Sequence, residues 1–178
     1  MDLQTDKMIV RKADGIGWMI FNHPERRNAL TVAMRETIPR ILDDFARDDD
    51  VRVVVMRGAG EQAFVSGADI SEFEERRSSP ETIRDFEAVS ERIDDSFRSF
   101  SKPLIAMIYG FAMGGGLLTA LRADIRIAAE GSQFGVPAAR LGLGKEEIAG
   151  HQHVDLEYGG RAWLDNALAL VRLAVARP

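Results

Sequence analysis

Apolar residues fall into short segments along the chain, and their spacing switches between period two and a period of three to four. Met8 to Arg11 and Ile16 to Phe21 flank Asp14-Gly15, a dipeptide suited to the type I′ turn, so the chain is predicted to open with a β-hairpin. After His23-Pro24, the residues Met34, Ile38, Ile41, Leu42 and Phe45 mark one face of a helix. Thr31 stands where an N-cap belongs, Asp48-Asp49-Asp50 closes the segment, and Pro39 predicts a kink because it lacks a backbone donor. Val51 to Met56, apolar and β-branched apart from Arg52, predicts a strand in a sheet covered on both faces, ended by Gly58-Ala59-Gly60. Ser79-Pro80-Glu81 signals a second helix with the stripe Ile83, Phe86, Val89, Ile93, Phe97 and Phe100, stopped by Lys102-Pro103. Leu104 to Ile108 and Ile125 to Ala128 read as further strands with a glycine-rich helix between them. Strand and helix alternate, which predicts an α/β layered fold.

Length and charge narrow the functional classes. A chain of 178 residues, 46% hydrophobic and 29% charged, is sized and composed for one globular domain with a packed core. The formal charge is -5 and the basic residues are scattered, so neither a nucleic acid nor an anionic membrane is an expected partner. The absence of cysteine excludes disulfides, thiolate metal sites and cysteine nucleophiles, and fits the cytoplasmic location expected for the chain. Met1 to Lys12 lacks the continuous apolar core of a secretory signal. Pro103 to Leu121 is uncharged and nearly long enough to span a bilayer, yet Gly110 and Gly114-Gly115-Gly116 interrupt it. A buried strand, a glycine turn and a short buried helix account better for those residues.

Several glycine and polar patterns bear on chemistry. Gly58-Ala59-Gly60-Glu61-Gln62-Ala63 fits the dinucleotide fingerprint in letters only, since Phe64-Val65-Ser66-Gly67 reads as extended chain and turn where that fingerprint needs a helix. Ser66-Gly67-Ala68-Asp69-Ile70 and Gly110-Phe111-Ala112-Met113-Gly114-Gly115-Gly116 each carry a strand end into glycine-permitted backbone. Two N–H groups converging from such loops can hold one developing oxyanion without a catalytic side chain. His151, His153, Asp155 and Glu157 would share one face of a strand as metal ligands, but two histidines in a polar tail are more often plain surface residues, and no metal is expected. No feature links Ser66 to a histidine base as a serine nucleophile requires.

Taken together, these motifs resemble the crotonase superfamily, the enoyl-CoA hydratase/isomerase proteins. The resemblance covers about residues 8 to 144. It rests on Asn22-His23-Pro24 through Arg27-Asn28-Ala29-Leu30, on Phe64 to Ile70, on Lys102-Pro103 with Ile108 to Gly116, on Ala123-Asp124-Ile125-Arg126-Ile127-Ala128, and on Gln133-Phe134-Gly135-Val136-Pro137. It implies a ββα-spiral core of the ClpP/crotonase kind, an acyl-CoA thioester as ligand, no cofactor other than the coenzyme A of the substrate, and a homotrimer or hexamer. By the same resemblance, the N–H groups of Ala68 and Gly115 are the oxyanion hole. Arg26, Arg27, Ala29, Ala68, Asp69, Ile70, Gly114 and Gly115 then lie along the CoA and thioester path. Taken singly, Ala68 and Gly115 would be read as a turn and a close-packed helix start, and the arginines as a solvated loop. Asp69 reads as a helix N-cap or loop-orienting residue rather than an acid catalyst.

Departures from the family pattern bear on the reaction. The resembling hydratases place one glutamate two residues past the triple glycine and another after the proline of Gln-Phe-Gly-x-Pro. Here those positions are Leu118 and Ala138, which transfer no proton. Two-glutamate hydration is therefore not expected, and Glu146 is the first substitute, ahead of Glu72, Tyr109 and His23. Glu146 and Glu147 are more often a solvated helix start. The resemblance divides the chain into a spiral core, 1–144, and a divergent tail, 145–178, whose Arg161 to Val175 reads as one largely apolar helix. The resemblance implies a longer helical C-terminal region, so a shortened one is expected here, as in a natural short form or a truncated or frame-shifted reading frame. The expected function is enolate stabilisation on an acyl-CoA thioester, the alternative a non-catalytic acyl-CoA-binding or assembly subunit.

Overall fold

A computed structural model describes residues 3–72 and 80–136 of the chain. The opening hairpin pairs β1 (Met8–Ala13) antiparallel with β2 (Ile16–Phe21), Met8 opposite Phe21 and Ala13 opposite Ile16. Asp14 and Gly15 join them with φ of +55° and +80°, the sign a type I′ turn requires at both positions. A 3-10 turn at Pro24–Arg26 leads to α1 (Val32–Arg47). The Thr31 hydroxyl oxygen caps α1 by accepting from the Met34 N–H at 3.3 Å. The predicted stripe Met34, Ile38, Ile41, Leu42 and Phe45 is buried, and α1 runs through Pro39 as one helix.

The next strand, β3 (Val53–Gly58), lies two residues later than the apolar run suggests. Val51 N–H is taken by Asp48 O, and the Arg52 and Val53 N–H groups both reach Gly15 O, so Val51 and Arg52 form the entry turn. At the far end Gly58 still pairs with Phe21, which keeps it within the strand.

From β3 onward the chain repeats one operation. It lays a strand in a large sheet, a three-residue strand in a small sheet, and then a helix. The first round is β3, β4 (Ala63–Val65) and α2 (Pro80–Ser99); the second is β5 (Leu104–Ile108), β6 (Phe111–Met113) and α3 (Gly115–Leu121); β7 (Ile125–Ala128) and β8 (Gln133–Gly135) begin a third. The large sheet has the order β1-β2-β3-β5-β7, parallel from β2 onward, and the small sheet the order β4-β6-β8, parallel throughout. The resulting ββα spiral matches the fold class expected from sequence. The small sheet was not legible as such, because three residues show no period.

The core fills the space between the large sheet and the helices. Val54 and Met56 of β3 stand beside Leu104 and Ala106 of β5, and all four are buried with the α1 stripe and with Val89, Ile93 and Phe97 of α2. Burying an aliphatic or aromatic side chain of this size contributes roughly 1.5–3 kcal/mol, so the α1 stripe is a principal source of the fold's stability. Arg122, just past α3, forms a largely buried ion pair with Asp94 of α2 and lies over the Phe97 ring. Among the described residues no helix is long and apolar enough to cross a membrane, and Pro103 to Leu121 divides into β5, β6 and α3.

Candidate functional site

The two glycine-bearing loops meet where the small sheet ends. A Cβ built on Gly114 would stand 3.9 Å from the Gly67 Cα, and one built on Gly67 would stand 3.4 Å from the Met113 carbonyl oxygen. Gly67 has φ +118° and Gly114 φ +50°, conformations that side chains rarely adopt, so glycine is required for both turns. Ala68 and Gly115 are the residues that follow this contact, one on each loop.

Each N–H is left over by its local structure. Ala68 forms an isolated parallel bridge with Leu30, made by Leu30 N–H to Gly67 O at 2.7 Å and Asp69 N–H to Leu30 O at 2.9 Å. Such a bridge uses both polar groups of Leu30 and the neighbours of Ala68, and it turns the Ala68 N–H away from Leu30. Gly115 is the first residue of α3, where a helix offers its N–H no internal acceptor. Among the described residues, neither N–H donates to a protein acceptor. Ala68 is exposed and Gly115 half-buried. Gly114 itself is engaged, its N–H donating to Gly135 O at 2.7 Å.

The loop 26–32 backs the Ala68 side of this arrangement. Ser66 N–H donates to Arg27 O at 3.1 Å, the Ser66 hydroxyl to Arg26 O at 3.1 Å, and Val32 N–H to a Glu72 carboxylate oxygen at 2.8 Å. Arg26 and Arg27 are exposed, and the Arg27 guanidinium lies 5.2 Å from the centre of the Phe111 ring. Ala29 is buried, whereas Ile70 is 61% exposed. Asp69 precedes a helical turn at 70–72, and its carboxylate accepts from both the Ser71 hydroxyl (2.7 Å) and the Ser71 N–H (3.1 Å). The bond from the Ser71 hydroxyl is the main cause that holds the Asp69 carboxyl below its usual range. Asp69 is thus placed as a capping residue, the role expected from sequence.

The substitute acids and bases are distributed unevenly. Glu72 is committed to the start of α1, Tyr109 is half-exposed, and His23 is buried with Nδ1 3.1 Å from Ala29 O and Nε2 3.3 Å from a Glu25 carboxylate oxygen. Leu118 is half-buried on α3, one turn beyond Gly115. Glu146, Ala138, the His151 to Glu157 run and the 161–175 segment lie outside the described residues. Among the described residues no cluster of histidine, aspartate and glutamate could hold a metal ion. Sequence reasoning gave no role to Asn28 or Leu30. The signal available was an asparagine after a His-Pro turn, a residue type that tolerates left-handed backbone.

This α/β spiral is the crotonase fold of solved enoyl-CoA hydratases. The family model for enoyl-CoA hydratase/isomerase matches residues 16–146, and the chain belongs to that family. It is 34% identical over 143 residues to a short-chain-enoyl-CoA hydratase of Clostridium acetobutylicum, covering 79% of this chain and 53% of that protein. It is 30% identical over 141 residues to the mitochondrial 3-hydroxyisobutyryl-CoA hydrolase of Rattus norvegicus, covering 79% of this chain and 37% of that one. A solved structure of a putative enoyl-CoA hydratase/isomerase family protein from Hyphomonas neptunium superposes with a TM-score of 0.71 at 37% identity, covering 78% of this chain and 53% of that chain. The chain thus spans about half the length, or less, of these relatives.

Proposed function

We propose that the chain binds an acyl-CoA thioester and stabilises the enolate form of its carbonyl oxygen between the N–H groups of Ala68 and Gly115. The observation that supports this reading is the close approach of the two loops, where a Cβ on Gly114 would stand 3.9 Å from the Gly67 Cα, with Ala68 and Gly115 the next residue on each and neither N–H donating to a protein acceptor among the described residues. Donors fixed in advance lose no reorganisation energy as charge develops on the oxygen, which is why such a pair serves many enolate reactions. Arg26 and Arg27 flank the CoA path as phosphate partners, with Ala29, Asp69, Ile70 and Gly114 along it. The reaction is an isomerisation, hydration or decarboxylation that proceeds through that enolate. Leu118 and Ala138 argue against two-glutamate hydration, and Glu146 is the proposed general acid or base. We further propose a cytoplasmic homotrimer or hexamer, with the coenzyme A of the substrate as the sole organic cofactor.

The test is calorimetric titration with acetoacetyl-CoA, using free CoA as control. Tighter binding of the thioester supports the reading, and equal binding or none overturns it. Glu146→Gln should then lower turnover of the preferred thioester, and unchanged turnover removes Glu146 from the mechanism. A second reading, a non-catalytic acyl-CoA-binding or assembly subunit, is favoured by the apolar Leu118 beside the site. It predicts thioester preference without turnover of any enoyl- or malonyl-type substrate.

A further inference from the structure

The loop that backs the Ala68 side of the site carries a fully buried polar side chain, Asn28. Asn28 is 1% exposed, and each polar atom of its side chain is used. Its Oδ1 accepts from the His23 N–H at 2.9 Å, while Nδ2 donates to Ala59 O at 2.9 Å and to Ala63 O at 2.8 Å. Those partners come from three places: the end of the β2 turn, the loop after β3 and the first residue of β4. The approach is close enough that a Cβ on Gly58 would lie 2.6 Å from Nδ2, so Gly58 leaves the space that the amide occupies. Arg27 and Asn28 both have positive φ, +52° and +56°, a strained pair for which the buried bonds compensate.

Asn28 fixes a splint. With residue 28 pinned to the β3–β4 corner, residues 26–30 run beside 66–69 and exchange four bonds with them: Ser66 N–H to Arg27 O, the Ser66 hydroxyl to Arg26 O, Leu30 N–H to Gly67 O and Asp69 N–H to Leu30 O. The last two define the orientation of the Ala68 peptide.

We infer that Asn28 is a positioning residue that, through the 26–30 splint, holds the Ala68 N–H aimed at the thioester oxygen. The inference rests on the function proposed above, because it assigns Asn28 to the same donor pair.

Asn28→Gly is the variant of choice, since glycine keeps the left-handed backbone and removes the three side-chain bonds. Asn28→Ala is its companion, and a result must appear in both. Hydrogen exchange resolved by residue is measured first, because it does not depend on ligand. Exchange of the Leu30, Ser66 and Asp69 amides should accelerate about tenfold or more, while Val54 and Met56 in the β3 ladder change by less than about twofold. Unchanged splint amides, or uniform acceleration everywhere, overturns the inference by showing no role or a merely structural one. The second readout is the ratio of the Kd for free CoA to the Kd for acetoacetyl-CoA, which should fall about tenfold in the variants. A retained ratio overturns the inference. A wild-type protein with no thioester preference overturns the proposed function instead, and the exchange pattern then decides whether Asn28 controls the Ala68 peptide.

Discussion

Gly115→Pro isolates one hydrogen-bond donor with little disturbance to the fold. Gly115 is the first residue of α3, the helical position where proline is well accepted, because its fixed φ suits the helix and its missing N–H has no internal acceptor. The preceding Gly114 has no Cβ to collide with the proline ring. The substitution removes one of the two proposed donors and leaves the Ala68 N–H in place. A hydrogen bond to a charged group contributes about 1.5–3 kcal/mol, so acetoacetyl-CoA should bind roughly 10- to 150-fold more weakly while free CoA changes little. On turnover, loss of one such donor should lower kcat about 10²- to 10³-fold. The control is Gly115→Ala: its Cβ would find its nearest neighbour, the Leu30 Cδ1, 4.0 Å away, and φ there is not left-handed. It keeps the N–H and should keep the thioester preference within about threefold. Calorimetry with both ligands on all three proteins, together with circular dichroism to confirm folding, completes the assay. A Gly115→Pro protein that is folded and still prefers the thioester by the wild-type factor would refute the two-donor reasoning.

Three further outcomes are expected. Gly116→Ala should destabilise the fold by about 3 kcal/mol in urea titration, because its Cβ would stand 2.1 Å from the Val65 carbonyl oxygen and part α3 from β4; an unchanged midpoint sinks this account of the packing. Asp69→Ala should cost about 1 kcal/mol near neutral pH through the lost cap. Since Asp69 has a folded pKa below its unfolded value, that contribution is present above the ordinary carboxylate range and is lost as pH falls through the depressed value. Wild type and variant should therefore converge as pH falls through that depressed value, and a gap that widens in acid contradicts the sign. Hydration of crotonyl-CoA should be at least about 10²-fold slower than in a relative carrying both glutamates, because Leu118 and Ala138 move no proton; comparable rates in a spectrophotometric assay defeat that argument.

Local pattern was enough to find the elements that bury a continuous face. The hairpin followed from Asp14-Gly15, α1 from its five-residue stripe and Thr31 cap, and β5 and β7 from short apolar runs. These signals are legible because backbone conformation and burial there depend on residues a few positions apart. The strands β4, β6 and β8 escaped the same reading, being three residues each and defined by pairing with chain 20 or more positions away. The start of β3 differs from the apolar run for a related reason: Arg52 and Val53 bond to Gly15, a partner no local pattern names.

For the site, the sequence by itself determined which residues could serve: glycines at 67 and 114 to 116, a capping aspartate at 69, and the apolar Leu118 and Ala138, which carry no acid. Those are properties of side chains, or of their absence, and they travel with the letters. Only the tertiary structure decided that Gly67 and Gly114 lie close together, that Leu30 bridges to Ala68, and that the Asn28 side chain bonds to His23, Ala59 and Ala63. Every residue but proline carries an N–H, so the sequence cannot single out two of them. Among the described residues the fold brings two loops close together at Gly67 and Gly114, and the next N–H on each, that of Ala68 and that of Gly115, has no protein acceptor.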